Sequence, residues 1–320
     1  MSLCWRAFKC LRQFFYNAWS DGLQDTQIIN AMCISPSSSH LVACTASLSL
    51  RIFDIPLSSS PVRTPVQPIR VISRAHDAPI HVCKVDPSST YLASGSADGV
   101  VKVWSIRQGY VTHVFKGHGG VVSALTFNYP QDASSVTQEQ TMQLITASVD
   151  TRIRIFDLSS TSRAQKGGKP EIVLEGHVSV PRGLDVSRDG RWLISGGRDS
   201  VVLIWNLSLK QQSSKSNGKD KAKGKAFAPV LVKTIPVLER VEALGLLHPE
   251  DDTSISTSSG IRFYTGGEKG TVKVWDGNNG KVLFTLGKEQ NKVSDDQETQ
   301  RQILDILCVR SHTSCDSEFA

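Results

Sequence analysis

Long apolar runs, paired cysteines and helical periodicity are all scarce in this chain of 320 residues. No apolar stretch approaches the roughly 20 residues that a membrane-spanning helix needs. The seven cysteines include no CxxC pair and no Cys/His group at zinc spacing, which removes the usual structural-zinc and dithiol readings. Cys33, Cys44 and Cys83 fall instead in strand-like runs, as reduced core thiols of a cytoplasmic or nuclear protein do. Outside residues 1–19, short alternating runs bounded by turn residues point to an all-β fold. Charge of neither sign dominates. Thirty-six Lys and Arg against 30 Asp and Glu leave a net +6, which permits contact with nucleic acid or acidic proteins without demanding it. No motif for a metal, a cofactor or a small-molecule substrate is legible.

What the chain does contain is a repeat. A Gly-His or Ala-His pair is followed by two strand-like runs, the second closing on Trp or Phe and a polar residue. The fullest copies run from Ala75-His76 through YLASGSAD (91–98) to VVKVWS (100–105), and from Gly176-His177 through WLISGGRD (192–199) to VVLIWN (201–206). A third starts at Gly117-His118 and reaches RIRIFD (152–157), and a fourth keeps only the tail FYTGGEKGTVKVWD (263–276). Units of about 40 residues with this beginning and end are the signature of WD-type β-propeller blades.

The spacing inside the two best units has a physical reason. His76, Ser94, Asp98 and Trp104 stand at the same separations as His177, Ser195, Asp199 and Trp205. In a four-stranded blade this lets the turn Asp accept from the His, whose ring then reaches the Ser beside the Trp indole. Such a network satisfies buried polar groups and fixes blade geometry. A Ser, His and Asp that meet in space also resemble a hydrolase triad. Here the set recurs, each copy inside one blade, which favours a structural role and leaves no catalytic residue to name.

Along the chain, residues 1–20 stand apart from the rest. Phe8, Leu11, Phe15 and Trp19 fall at helical spacing with Arg6, Lys9 and Arg12 between them. They read as a basic amphipathic helix at a membrane surface, a short helix packed on the propeller, or a non-native start. The propeller spans 21–309. Its first blade is degenerate, with Phe53 for the Trp and Ser47 in place of the turn Asp. Phe156 costs the third blade one donor, and Lys269 replaces the turn Asp of the fifth. ILDILCV (303–309) reads as the first strand of a sixth blade, before a tail at 310–320. Five blades and part of another therefore predict an open or incomplete ring.

The longest loop carries Lys210, Lys215, Lys219, Lys221, Lys223 and Lys225 with a single acid between them. Over 208–228 it is too polar to bury a core and reads as a disordered insertion. Its lysines are candidate contacts for an RNA backbone, against the alternative of a merely solvated loop with no aromatic residue for base stacking. Propeller rims bind through side chains flanking the first strands of blades, which makes His81, Arg182 and Arg240 the candidate partner surface.

RAHDAPIHVCKVDPSSTYLASGSADGVVKVWSIRQGYVTHVFKGHGGVVSALTF (74–127) resembles the transducin-beta-like protein three family, also called U3 small nucleolar RNA-associated protein thirteen. LEGHVSVPRGLDVSRDGRWLISGGRD (174–199) and QRQILDIL (300–307) are similar to the same family, and the likeness covers roughly 21–308. Members carry two tandem propellers and a helical C-terminal domain, so the resemblance implies most of a first propeller. It also implies a non-catalytic docking role in ribosome biogenesis. The partners it implies are the UTP-B proteins of the small-subunit processome, with U3 small nucleolar RNA and pre-18S ribosomal RNA, in the nucleolus of the nucleus. The repeats alone fit a different adaptor equally well, such as a ubiquitin-ligase substrate receptor or a signalling scaffold. Replacing the six loop lysines with Ser is expected to weaken RNA binding and flatten its dependence on salt, because fewer counterions are released. An unchanged salt slope in a titration would remove the loop from RNA contact.

Overall fold

The computed structural model describes residues 28–55, 67–129, 142–158, 168–208, 229–247 and 260–286. The expected helix at 1–20, the lysine loop, the strand at 303–309 and the tail all lie outside the described residues. The described segments form 20 strands in five four-stranded antiparallel sheets, one per predicted blade. Blade one comprises β1 (Ile29–Ile34), β2 (His40–Thr45), β3 (Leu50–Asp54) and β4 (Arg70–Ile72). Blade two comprises β5 (Ile80–Val85), β6 (Tyr91–Ser96), β7 (Val101–Ser105) and β8 (Val111–Phe115). Blade three follows with β9 (Val122–Asn128), β10 (Gln143–Ser148), β11 (Ile153–Asp157) and β12 (Ile172–Leu174). Blade four has β13 (Pro181–Val186), β14 (Trp192–Gly197), β15 (Val201–Asn206) and β16 (Val230–Pro236). Blade five has β17 (Val241–Leu247), β18 (Arg262–Gly267), β19 (Val272–Asp276) and β20 (Lys281–Leu286). Each sheet is a meander in chain order, as WD-type blades require.

The described residues divide into two compact units, one up to Val122 and one from Ser123. In the first, Val42, Leu50 and Ile52 of blade one share a core with Ile80, Leu92 and Trp104 of blade two. In the second, Ile145, Ile153 and Ile155 of blade three join Leu193, Leu203 and Trp205 of blade four. Ile194, Val202 and Ile204 on the other face of blade four pack with Val241, Leu244 and Phe263 of blade five. A middle blade is thus buried on both faces, and its central strands read as continuous apolar runs instead of strict alternations. Blade four makes room for this with glycine. A Cβ on Gly183 would stand 2.6 Å from Leu244 Cβ, and one on Gly196 would stand 2.8 Å from Leu244 Cδ1.

The turn between the second and third strands repeats with one backbone conformation. Leu48, Gly99, Thr151, Ser200 and Gly270 take φ of 64°, 76°, 66°, 63° and 77°. The residue before each is Ser47, Asp98, Asp150, Asp199 or Lys269, so the alignment that put Ser47 and Lys269 in the aspartate position matches the backbone. At the same end of each of these blades, the register of β1, β5, β13 and β17 slips across Asn30, His81, Arg182 and Glu242. A bulge at the second residue of a first strand re-aims that side chain out of the ladder. His81 and Arg182 are therefore bulge residues, and their blade-five counterpart is Glu242, two residues after Arg240.

Candidate functional site

Blade four carries the complete polar unit. His177 Nδ1 lies 2.8 Å from Asp199 Oδ2, and its Nε2 lies 2.8 Å from Ser195 Oγ. The carboxylate can only accept, so Nδ1 holds the proton and Nε2 accepts from the Ser195 hydroxyl. Trp205 Nε1 then donates to the same hydroxyl at 3.1 Å, and the Val178 amide donates to Asp199 Oδ2 at 2.9 Å. Burial holds the His177 imidazole below its ordinary 6.5, against the opposing pull of Asp199. The outline is that of a hydrolase triad, but Ser195 is 0% exposed and its oxygen is already engaged by two neighbours. A nucleophile without an approach path for a carbonyl is a structural hydroxyl.

Blade two departs from this arrangement. His76 Nε2 and Trp104 Nε1 both meet Ser94 Oγ at 2.8 Å, as their spacing predicts. The expected bond from His76 to Asp98 is not formed. Asp98 Oδ1 instead accepts from the Val100 amide at 2.8 Å, while His76 Nδ1 is buried without a partner. The difference lies at the position two before the tryptophan. Blade four has Leu203 there, whereas blade two has Lys102, whose Nζ reaches the Ala75 carbonyl at 2.8 Å and lies 5.9 Å over the Trp104 ring. Burial, and then the Lys102 charge, push His76 down to about 4, with Asp98 and Asp77 pulling the other way.

The same position explains blades three and five. In blade three it is Arg154, buried, which donates to the turn Asp150 at 2.7 Å. In blade five it is Lys273, and Lys269 leaves the turn without its aspartate. Trp275 Nε1 donates to Thr265 Oγ1 at 2.9 Å, so the tryptophan–hydroxyl pair survives. The acid has moved. Glu239, on the loop entering the blade, accepts from Lys273 Nζ at 2.8 Å and from Thr271 Oγ1 at 2.7 Å. Burial works to raise the Glu239 carboxyl, but the bonds from Lys273 and Thr271 outweigh it and hold it below the ordinary range. With a cation at Lys269, the carboxylate comes from a loop 30 residues upstream of it.

The rim candidates are all exposed, but they are not alike. His81 belongs to the first unit. In the second, Arg182 Nε and Arg198 Nε hold the two carboxylate oxygens of Glu242 at 3.0 and 2.7 Å. Those two arginines keep the Glu242 carboxyl low despite its partial burial, which acts the other way. Arg240 pairs with Glu268 at 3.4 Å, and Arg152 with Glu175 at 3.0 Å. Among the described residues, no group of three His, Cys, Asp or Glu is placed to hold a metal ion.

Comparison with known proteins agrees with this geometry. A family model described as "WD domain, G-beta repeat" matches residues 66–105, 109–157 and 168–206, each holding the first three strands of blade two, three or four with the last strand of the blade before it. This is a WD-repeat protein. The WD-repeat chain is 31% identical over 82% of its length to Transducin beta-like protein 3 of Rattus norvegicus, and spans 28% of that relative. It is 29% identical over 83% of its length to U3 small nucleolar RNA-associated protein 13 of Saccharomyces cerevisiae, again spanning 28% of the relative. Ribosome biogenesis protein YTM1 of Kluyveromyces lactis is 29% identical over 41% of the chain.

The two aspartates separate a load-carrying unit from a local turn cap. Asp199→Ala removes the acceptor of a buried imidazole N–H and an amide, and is expected to lower stability by about 1–3 kcal/mol. Asp98→Ala removes one exposed turn bond and is expected to cost about 0.5 kcal/mol. Urea denaturation of both variants decides between them, and equal losses would contradict the assignment.

Proposed function

We propose that this chain is a non-catalytic docking platform of ribosome biogenesis, acting with UTP-B proteins of the small-subunit processome in the nucleolus. The observation that carries the reading is the likeness, over 83% of the chain, to a relative named U3 small nucleolar RNA-associated protein 13. The relative named Ribosome biogenesis protein YTM1 supports the coarser statement of a role in ribosome assembly. The physical chemistry is compatible with docking. Buried polar units and two-faced cores give rigid blades, while the bulge side chains and entry loops are held outward for contact. Contact with pre-ribosomal RNA or U3 RNA through the lysine loop belongs to the same proposal.

A second reading as another adaptor draws on a different likeness. The chain is 29% identical over 206 residues to Nuclear distribution protein nudF of Aspergillus niger. Affinity purification of the tagged chain from growing cells separates the two. Recovery of processome proteins and U3 RNA, with nucleolar fluorescence, is the expected outcome. A cytoplasmic pool bound to cullin-type ligases or signalling proteins would contradict it.

A further inference from the structure

The turn of blade four is flanked by two apolar side chains displayed to solvent. On one side the Val178 amide is bonded to Asp199 at 2.9 Å, and the Val178 side chain is left 87% exposed. On the other the Val237 amide is bonded to the Ser200 carbonyl at 2.9 Å, and the next residue, Leu238, is 88% exposed. Both neighbours of Leu238 are tied down. Val237 is buried in the core between blades four and five, and Glu239 is bonded to Lys273 and Thr271. Leu238 itself sits at φ 66°, a left-handed conformation that a branched side chain avoids. A bulky aliphatic residue that is both strained and solvated gains nothing from the fold, and such outliers concentrate at functional sites.

The charged surroundings are rich in arginine, with Glu239, Glu242 and Glu268 interspersed. Arg198 lies in the turn itself, Arg182 shares Glu242 with it, and Arg240 stands two residues after Leu238. Two guanidiniums against the single Glu242 leave excess positive charge. Each is bonded there through Nε, which leaves its terminal N–H groups to face a second acceptor.

We propose that Val178, Leu238 and the Arg182–Glu242–Arg198 cluster form a docking site for an acidic segment of a partner protein that carries aliphatic side chains. It rests on the reading of the chain as a docking platform and names the chemistry of that contact. The partner's apolar groups cover Val178 and Leu238, and its carboxylates take the outer edges of Arg182 and Arg198. A protein is favoured over nucleic acid because the exposed side chains are aliphatic and offer no aromatic face for a base.

The test uses the full chain and fluorescence anisotropy with three labelled probes. These are a 12-residue peptide of alternating Leu and Glu, the same peptide with Lys for Glu, and a 12-nucleotide oligouridine RNA. The acidic peptide alone is expected to bind through this site, and Arg198→Glu and Leu238→Gly are each expected to weaken it by about tenfold or more. Leu238→Gly removes a strained backbone position, so its melting temperature should stay level or rise while binding falls. That split is one a purely structural residue does not produce. Failure of the acidic peptide to bind, unchanged affinity in both variants, or displacement of the peptide by the RNA would each overturn the proposal. None of these outcomes depends on where the protein resides in the cell, so the nucleolar reading stands or falls separately.

Discussion

The blades depend on how the turn between their second and third strands is fastened. In each unit the chain returns to that turn as it leaves for the next blade. The Ala75 amide donates to the Leu48 carbonyl at 2.8 Å, and the Val237 amide to the Ser200 carbonyl at 2.9 Å. These bonds seat the entry loop, and the entry loop delivers the side chain that completes the polar unit. His76 arrives this way over Ser94, and Glu239 arrives over Thr271 and Lys273. His177, Ser195 and Thr265 are buried, so an unsatisfied donor at this corner is expensive.

The chemistry of the corner is set by one position, two residues before the closing aromatic. Where that residue is apolar, as with Leu203, the turn aspartate is left to the histidine. A cation there takes an acceptor for itself. Lys102 takes a carbonyl and leaves His76 half-satisfied, Arg154 takes Asp150, and Lys273 takes a carboxylate from another loop. Blades three, four and five thus reach comparable corners with different residues, because satisfaction of buried polar groups constrains the outcome and not the identity of the groups.

Much of this was open to reading from residue order. The separations among His177, Ser195, Asp199 and Trp205 carry their contacts, and the turn alignment survives even where Ser47 or Lys269 replaces the aspartate. Glu239 was missed because no fixed spacing ties it to the blade it completes. The available signal was a charge reversal, with Lys269 in an acidic position and an acid in the entry loop. The bulge that projects His81 and Arg182 left no composition cue, and it assigns the equivalent role in blade five to Glu242 instead of Arg240. Pairing of Arg182 and Arg198 with Glu242 depends on blades meeting face to face, over 60 and 44 residues of sequence. Local pattern cannot report such a distance.

Nitrogen NMR of the imidazoles in the 15N-histidine-labelled chain tests the central claim that these histidines are neutral, buried links in structural networks. His177 is predicted to show a protonated Nδ1 and an accepting Nε2 at neutral pH, and to titrate below 6.5. His76 should resist protonation down to about pH 4. Because the unfolded chain takes up these protons near 6.5 and the folded chain does not, stability should be full above that pH and fall as the solution is acidified through the folded values. An imidazolium signal from His177 at pH 7, or titration of either ring at or above 6.5, would contradict the account.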